Sequence, residues 1–112
     1  MSMSAREVIR DLMDKGVKGF QVKATFTGYR NSSLVMFHDL VFANKTLVHV
    51  HVRTDSMVAS ELAQLQPGDR VLMTADPEFY VSAKHPDGNV SLMNVHVVKR
   101  LNRTRKGFKR ST

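Results

Sequence analysis

From Phe20 to Thr27 the apolar residues fall on every second position. Phe20, Val22, Ala24 and Phe26 alternate with Gln21, Lys23, Thr25 and Thr27. That period puts the four on one face of a half-buried strand. Ahead of it the period is near four: Val8, Ile9, Leu12 and Met13 share one side of a helix. Ser4 and Glu7 stand at capping-box spacing, and Gly16 stops the run. Gly28 allows the first strand to bend, and Asn31, Ser32 and Ser33 read as a loop. A second strand is predicted from Leu34 to Phe42, and a valine-rich third from Thr46 to Arg53, with Asn44 and Lys45 as the turn between them. Ser56 to Leu65 reads as a short helix, stopped by Pro67, Gly68 and Asp69. Arg70 to Ala75 is a fourth strand, interrupted at Asp76 and Pro77 because proline cannot donate to a ladder. Phe79 to Ala83 and Val90 to Leu101 flank a hairpin signal, Pro86-Asp87-Gly88-Asn89.

The element order is helix, three strands, helix, strand, hairpin. A short helix between the third and fourth of five strands points to a mainly β fold, a five-stranded OB-type Greek-key barrel, with a split α+β sheet as the other arrangement. The expected organisation is an N-terminal helix over 1–17 packed on the barrel, an OB-fold domain over 18–102, and a basic disordered tail over 103–112.

Three segments carry a family resemblance. Lys23-Ala24-Thr25-Phe26-Thr27-Gly28-Tyr29-Arg30 resembles the first, glycine-bent strand of the OB-fold single-stranded nucleic-acid-binding proteins. Thr46-Leu47-Val48-His49-Val50-His51-Val52 resembles their third strand. Glu61 to Met73, through Pro67-Gly68-Asp69-Arg70-Val71, is similar to their helix, turn and fourth strand. The resemblance implies a ligand face on the outer side of the second and third strands. It also implies DNA slightly ahead of RNA.

The side chains on that face follow from register. With Asn44 and Lys45 at the hairpin tip, Leu40 stands opposite His49, His38 opposite His51, and Met36 opposite Arg53. The opposite face carries Val35, Phe37, Val41, Val48, Val50 and Val52, the expected interior. Asp39 falls there too, which a bulge near Asp39 or a partner at the barrel end would resolve. The candidate nucleic-acid-binding residues are Met36, His38, His49, His51 and Arg53, with Lys23, Thr25 and Tyr29 from the first strand. Imidazoles stack on bases and donate to phosphates, and Tyr29 is the leading stacking residue. Tyr80, Lys84 and His85 stand ready to line the groove from the last long loop.

Composition bounds the alternatives. The chain has 112 residues, 42% hydrophobic and 24% charged, which suits one globular domain. With no cysteine, disulfides and zinc–thiolate sites are excluded. No secretory signal or membrane-length apolar run is present, so a cytoplasmic location without membrane contact is expected. The glycines are scattered and form no phosphate loop, and no G-x-S-x-G elbow exists. No catalytic residue and no cofactor are assigned. Three histidines on one sheet face raise a metal reading, but no carboxylate joins them and no H-E-x-x-H motif exists.

Charge adds a second contact. The formal net charge is +7, yet residues 1–98 hold ten Lys+Arg and ten Asp+Glu. The whole excess lies in Lys99, Arg100, Arg103, Arg105, Lys106, Lys109 and Arg110. Such a tail binds phosphate without reading sequence, and Phe108 within it can stack on a base. The expected partner is single-stranded DNA or RNA, bound without catalysis. The alternative is a protein-interaction or homo-oligomer module using the same face through Met36, Leu40, Phe42 and Leu47.

Overall fold

The structure, a computed structural model, describes residues 4–101. The capping box predicted from Ser4 and Glu7 is formed. The Ser4 hydroxyl accepts from the Glu7 amide at 3.2 Å, and the Glu7 carboxylate accepts from the Ser4 amide at 2.7 Å. It opens helix α1, Ala5–Asp14, which buries Ala5, Val8 and Ile9. Gly16 (φ 72°) ends the helix, with its amide on the Met13 carbonyl and that of Val17 on the Leu12 carbonyl. These bonds satisfy carbonyls that a helix end otherwise leaves unpaired.

Five strands follow: β1 Phe20–Asn31, β2 Leu34–Phe42, β3 Lys45–Arg53, β4 Arg70–Tyr80 and β5 Asn89–Arg100. They form one antiparallel sheet in the order β3-β2-β1-β4-β5. The central strand β1 pairs with β4 only from Phe20 to Thr25. Beyond that point the turn before β4 takes over: the Phe26 amide donates to the Asp69 carbonyl, and the Gly68 amide donates to the Phe26 carbonyl. A register shift at Gly28 (φ 125°) bends the strand, and the Thr27 hydroxyl donates to the Met36 carbonyl beside it.

The curled sheet gathers one core. Phe26, Val35, Phe37, Val50, Val52, Val71, Met73, Leu92 and Val95 are essentially inaccessible to water, and Ile9 of α1 joins them. Phe26 and Phe37 meet edge-on at 5.5 Å. Burying each such ring contributes up to about 3 kcal/mol. The two outer strands also approach each other. The Ser91 hydroxyl donates to the His51 carbonyl at 2.9 Å. Arg6 of α1 donates from one guanidinium to the carbonyls of both Val90 and His49. Among the described residues no ladder joins β3 to β5, so backbone pairing does not close the sheet.

Five sequence expectations are corrected. The tip of the β2–β3 hairpin is Ala43 and Asn44 (φ 51° and 61°), not Asn44 and Lys45. Positive φ at both central residues marks the turn whose twist suits a two-residue hairpin. Phe42 therefore faces Lys45, His38 faces His49, Met36 faces His51, and Leu34 faces Arg53. The shift is two residues, so His38, His49 and His51 keep a common face. At Asp39 (φ 54°) β2 bulges against β1, and the alternation reverses. Leu40 and Phe42 turn inward and are buried, while Val41 and Val48 turn outward and are 37% and 74% exposed. Asp39 thereby escapes the core.

The short helix is smaller than its apolar pattern suggested: a 3-10 turn, Thr54–Ser56, then α2, Ala59–Ala63. The fourth strand is not interrupted at Pro77, which lies within β4 opposite Leu92. β1 begins only at Phe20, opposite Ala75, so at Pro77 β4 is paired on one side and proline's missing donor breaks no second ladder. Val81 to Ala83, expected as strand, belong to the loop between β4 and β5.

Candidate functional site

The site is built on the hairpin β2–β3. Directly opposed residues of an antiparallel pair share a face. His38 and His49 form one such pair, and Met36 and His51 the next. The His38 and His49 rings lie 6.0 Å apart, and the His49 and His51 rings 5.7 Å apart, each pair nearly edge to face. His49 and His51 are exposed, and His38 is half-buried. Thr25 of β1 continues the row, since it faces His38. Lys23 is exposed one step along β1, opposite Val41.

Arg70, at the start of β4, fixes the near end of this row. Its guanidinium donates to the Thr25 hydroxyl at 3.1 Å and to the Asp39 carbonyl at 2.6 Å. It thus ties the bulged backbone of β2 to β1. Thr25 is a held residue of the row rather than a loose hydroxyl. The sequence offered no sign of this, because Arg70 reads as an ordinary strand-opening cation.

Tyr29 takes a different place from the one its sequence position suggested. The register shift at Gly28 puts it opposite the buried Val35, and its ring meets Phe26 edge-on at 6.3 Å. It lies over the end of the core, 59% exposed, and not in the histidine row. The next residue, Arg30, bears on that row instead.

His51 shows the local electrostatics. Its imidazole is held below the ordinary histidine value, first by partial burial and then by repulsion from His49, Arg30, Lys84 and Arg6. Of these cations Arg6 touches the strand that carries the row, donating to the His49 carbonyl. Arg6 and Arg30 are site residues that sequence reasoning missed. The signal for Arg30 was Gly28, whose bulge changes which neighbour faces out. No periodicity pointed to Arg6, which lies on a helix distant in sequence.

Arg53 is engaged within the fold. It pairs with Glu78 at 2.6 Å and with Asp55 at 3.6 Å, linking the end of β3 to β4. Tyr80 and His85 form an edge-to-face pair at 6.1 Å. Reciprocal Ser82–His85 backbone bonds and the Gly88 amide on the His85 carbonyl shape the loop that carries the exposed Lys84. Arg103, Arg105, Lys106, Phe108, Lys109 and Arg110 lie outside the described residues. Among the described residues no group of three His, Cys, Asp or Glu has a metal-holding arrangement.

The geometry supplies a strip of three imidazoles, planar and polar-edged, with fixed positive charge at one end. Such a strip offers ring faces to a flat aromatic group and donors to an anion. Among the described residues no helix is long and apolar enough to cross a membrane. No family model, curated protein or solved structure matches this chain.

Proposed function

We propose that this chain is an OB-type barrel that binds single-stranded nucleic acid without catalysis. Bases would lie along the His38, His49 and His51 strip, and the basic C-terminal segment would add phosphate contacts. The observation that carries the reading is the imidazole row, with the Arg6 guanidinium bonded to the His49 carbonyl beside it. The barrel is supported by the approach of β3 and β5, the two outer strands of the sheet, to each other. Ser91 and Arg6 make that contact through side chains. The sequence resemblance favours DNA over RNA. Fluorescence anisotropy with labelled oligonucleotides tests the proposal. Binding of single strands at low salt that weakens in His38→Ala and His49→Ala supports it. No binding of DNA or RNA at low salt overturns it.

A second reading, an assembly module, draws on Val41 and Val48. They stand exposed beside Leu47 on the outer face of the β2–β3 hairpin. The apolar residues first expected to serve it, Leu40 and Phe42, are buried. Light scattering discriminates: an oligomer that Val48→Lys dissociates favours assembly through this hairpin.

A further inference from the structure

The outer face of the β2–β3 hairpin continues past the imidazole row into a pocket. Asp39 follows His38 and Val48 precedes His49, so the row ends at its rim. Asp39, Val41, Thr46, Leu47, Val48 and Arg70 line it, around a volume of about 170 Å³. Sites that enclose a whole small molecule begin at roughly 300 Å³. This one suits a single ring system belonging to something larger.

Three chemistries meet in its walls. Val41, Leu47 and Val48 supply apolar surface. Arg70 supplies a planar cation, pinned by its bonds to the Thr25 hydroxyl and the Asp39 carbonyl. A guanidinium plane held in this way is a surface on which an unpaired base stacks. Asp39 supplies an exposed carboxylate. Among the described residues that carboxylate has no hydrogen-bond or ion-pair partner. The bulge is what puts it there: at φ 54° Asp39 leaves the strand alternation that would have sent it into the core. Bulges commonly re-aim one side chain in this manner.

Resting on the nucleic-acid reading above, we propose that this pocket seats one base of the bound strand and that the Asp39 carboxylate selects guanine there. A carboxylate only accepts hydrogen bonds. On its pairing edge guanine carries N1–H and an N2 amino group side by side, and two parallel donors match the two oxygens of a carboxylate. Adenine and cytosine place one amino group beside a ring nitrogen that is itself an acceptor. Thymine places one N–H between two carbonyls. Guanine alone gives both carboxylate oxygens a donor without opposing lone pairs. The neighbouring Arg70 cation offsets the carboxylate's charge toward the strand. The pocket thus adds one read position to the imidazole row.

The test is fluorescence anisotropy of the full chain with labelled oligothymidylate, and with the same strand carrying one central guanine, adenine, cytosine or hypoxanthine. Guanine should tighten binding at least about fivefold over thymine, the lower end of what one bidentate base contact gives. Hypoxanthine, which lacks the 2-amino group, should lose most of that gain. Asp39→Asn keeps the fold, because asparagine tolerates positive φ, and it exchanges one acceptor for a donor. It should abolish the guanine preference and leave oligothymidylate affinity equal or higher. Equal affinity for all the strands, a preference that survives Asp39→Asn, or an Asp39→Asn that shifts every strand alike overturns the guanine seat and leaves the broader reading standing. A solution oligomer that Val48→Lys dissociates also overturns the seat, because a second chain would cover it. Absence of binding to every strand at low salt overturns both.

Discussion

Gly88 sits at φ 95° with the Phe79 ring against it, so a β-carbon there would lie 2.0 Å from Phe79 Cζ. Two penalties act at once: a backbone conformation that side chains resist, and a collision with an aromatic ring. Moving the ring aside would also disturb its contact with the Arg10 guanidinium, which lies 5.0 Å from the ring centre. Gly88→Ala should therefore destabilise the chain by at least about 1 kcal/mol, read as a lower urea midpoint at unchanged m-value. Phe79→Leu should recover part of the loss in the double variant, by clearing the space above the glycine. A Gly88→Ala midpoint equal to wild type would show that the ring and the turn yield without cost. The turn itself was legible in Pro86-Asp87-Gly88-Asn89. The ring packed on it was not, because eight residues of chain separate Phe79 from Gly88 and local pattern says nothing of loop closure.

Elements were legible where a period ran uninterrupted, and blurred where backbone geometry broke it. The alternation from Phe20 to Phe26 and the Ser4–Glu7 cap each describe contacts only a few residues apart, and both are formed. Asp39 defeated the same logic. One residue at positive φ reverses every later side chain in β2, exchanging Val41 for Leu40 and Phe42 in the core. No residue type forces that bulge. The long-range Arg70 bond to the Asp39 carbonyl supports it. The histidine row survived because it lies on the hairpin before the reversal, and because the misplaced turn moved the register by an even number.

The seam between β3 and β5 is likewise tertiary. Arg6 bonds carbonyls on both strands where a ladder would otherwise run. Arg6→Met keeps most of the aliphatic stem and the helix propensity but removes both bonds. It should cost about 1–3 kcal/mol and speed amide exchange selectively in β3 around His49 and Val50. Faster exchange confined to α1 would assign Arg6 to the helix alone. On the proposed reading the same variant loosens the strand that carries two of the three imidazoles, so weaker oligonucleotide binding should accompany the exchange effect.

Charge belongs to the whole molecule. Through residue 98 the chain is balanced, and its +7 comes from residues 99–112. The structure divides that excess. Lys99 and Arg100 are strand residues, paired opposite Leu72 and Val71, and Arg100 also meets Asp69 at 3.5 Å. Its charge is thus partly compensated within the fold. Five cations, Arg103, Arg105, Lys106, Lys109 and Arg110, follow Asn102. If they meet phosphates, ending the chain after Asn102 removes counterion release and flattens the salt dependence of binding. At about 0.7 per contact on a single strand, the log–log slope should fall by up to about 3.5. The discrimination among oligonucleotide sequences measured for the full chain should be kept, because it would arise at His38, His49 and His51. A truncated chain with full-chain affinity and slope would return the basic segment to solvent. One that loses its preference as well would move the choice of ligand from the sheet to the terminus. The two outcomes separate, because phosphate contacts shift all sequences together while base contacts do not.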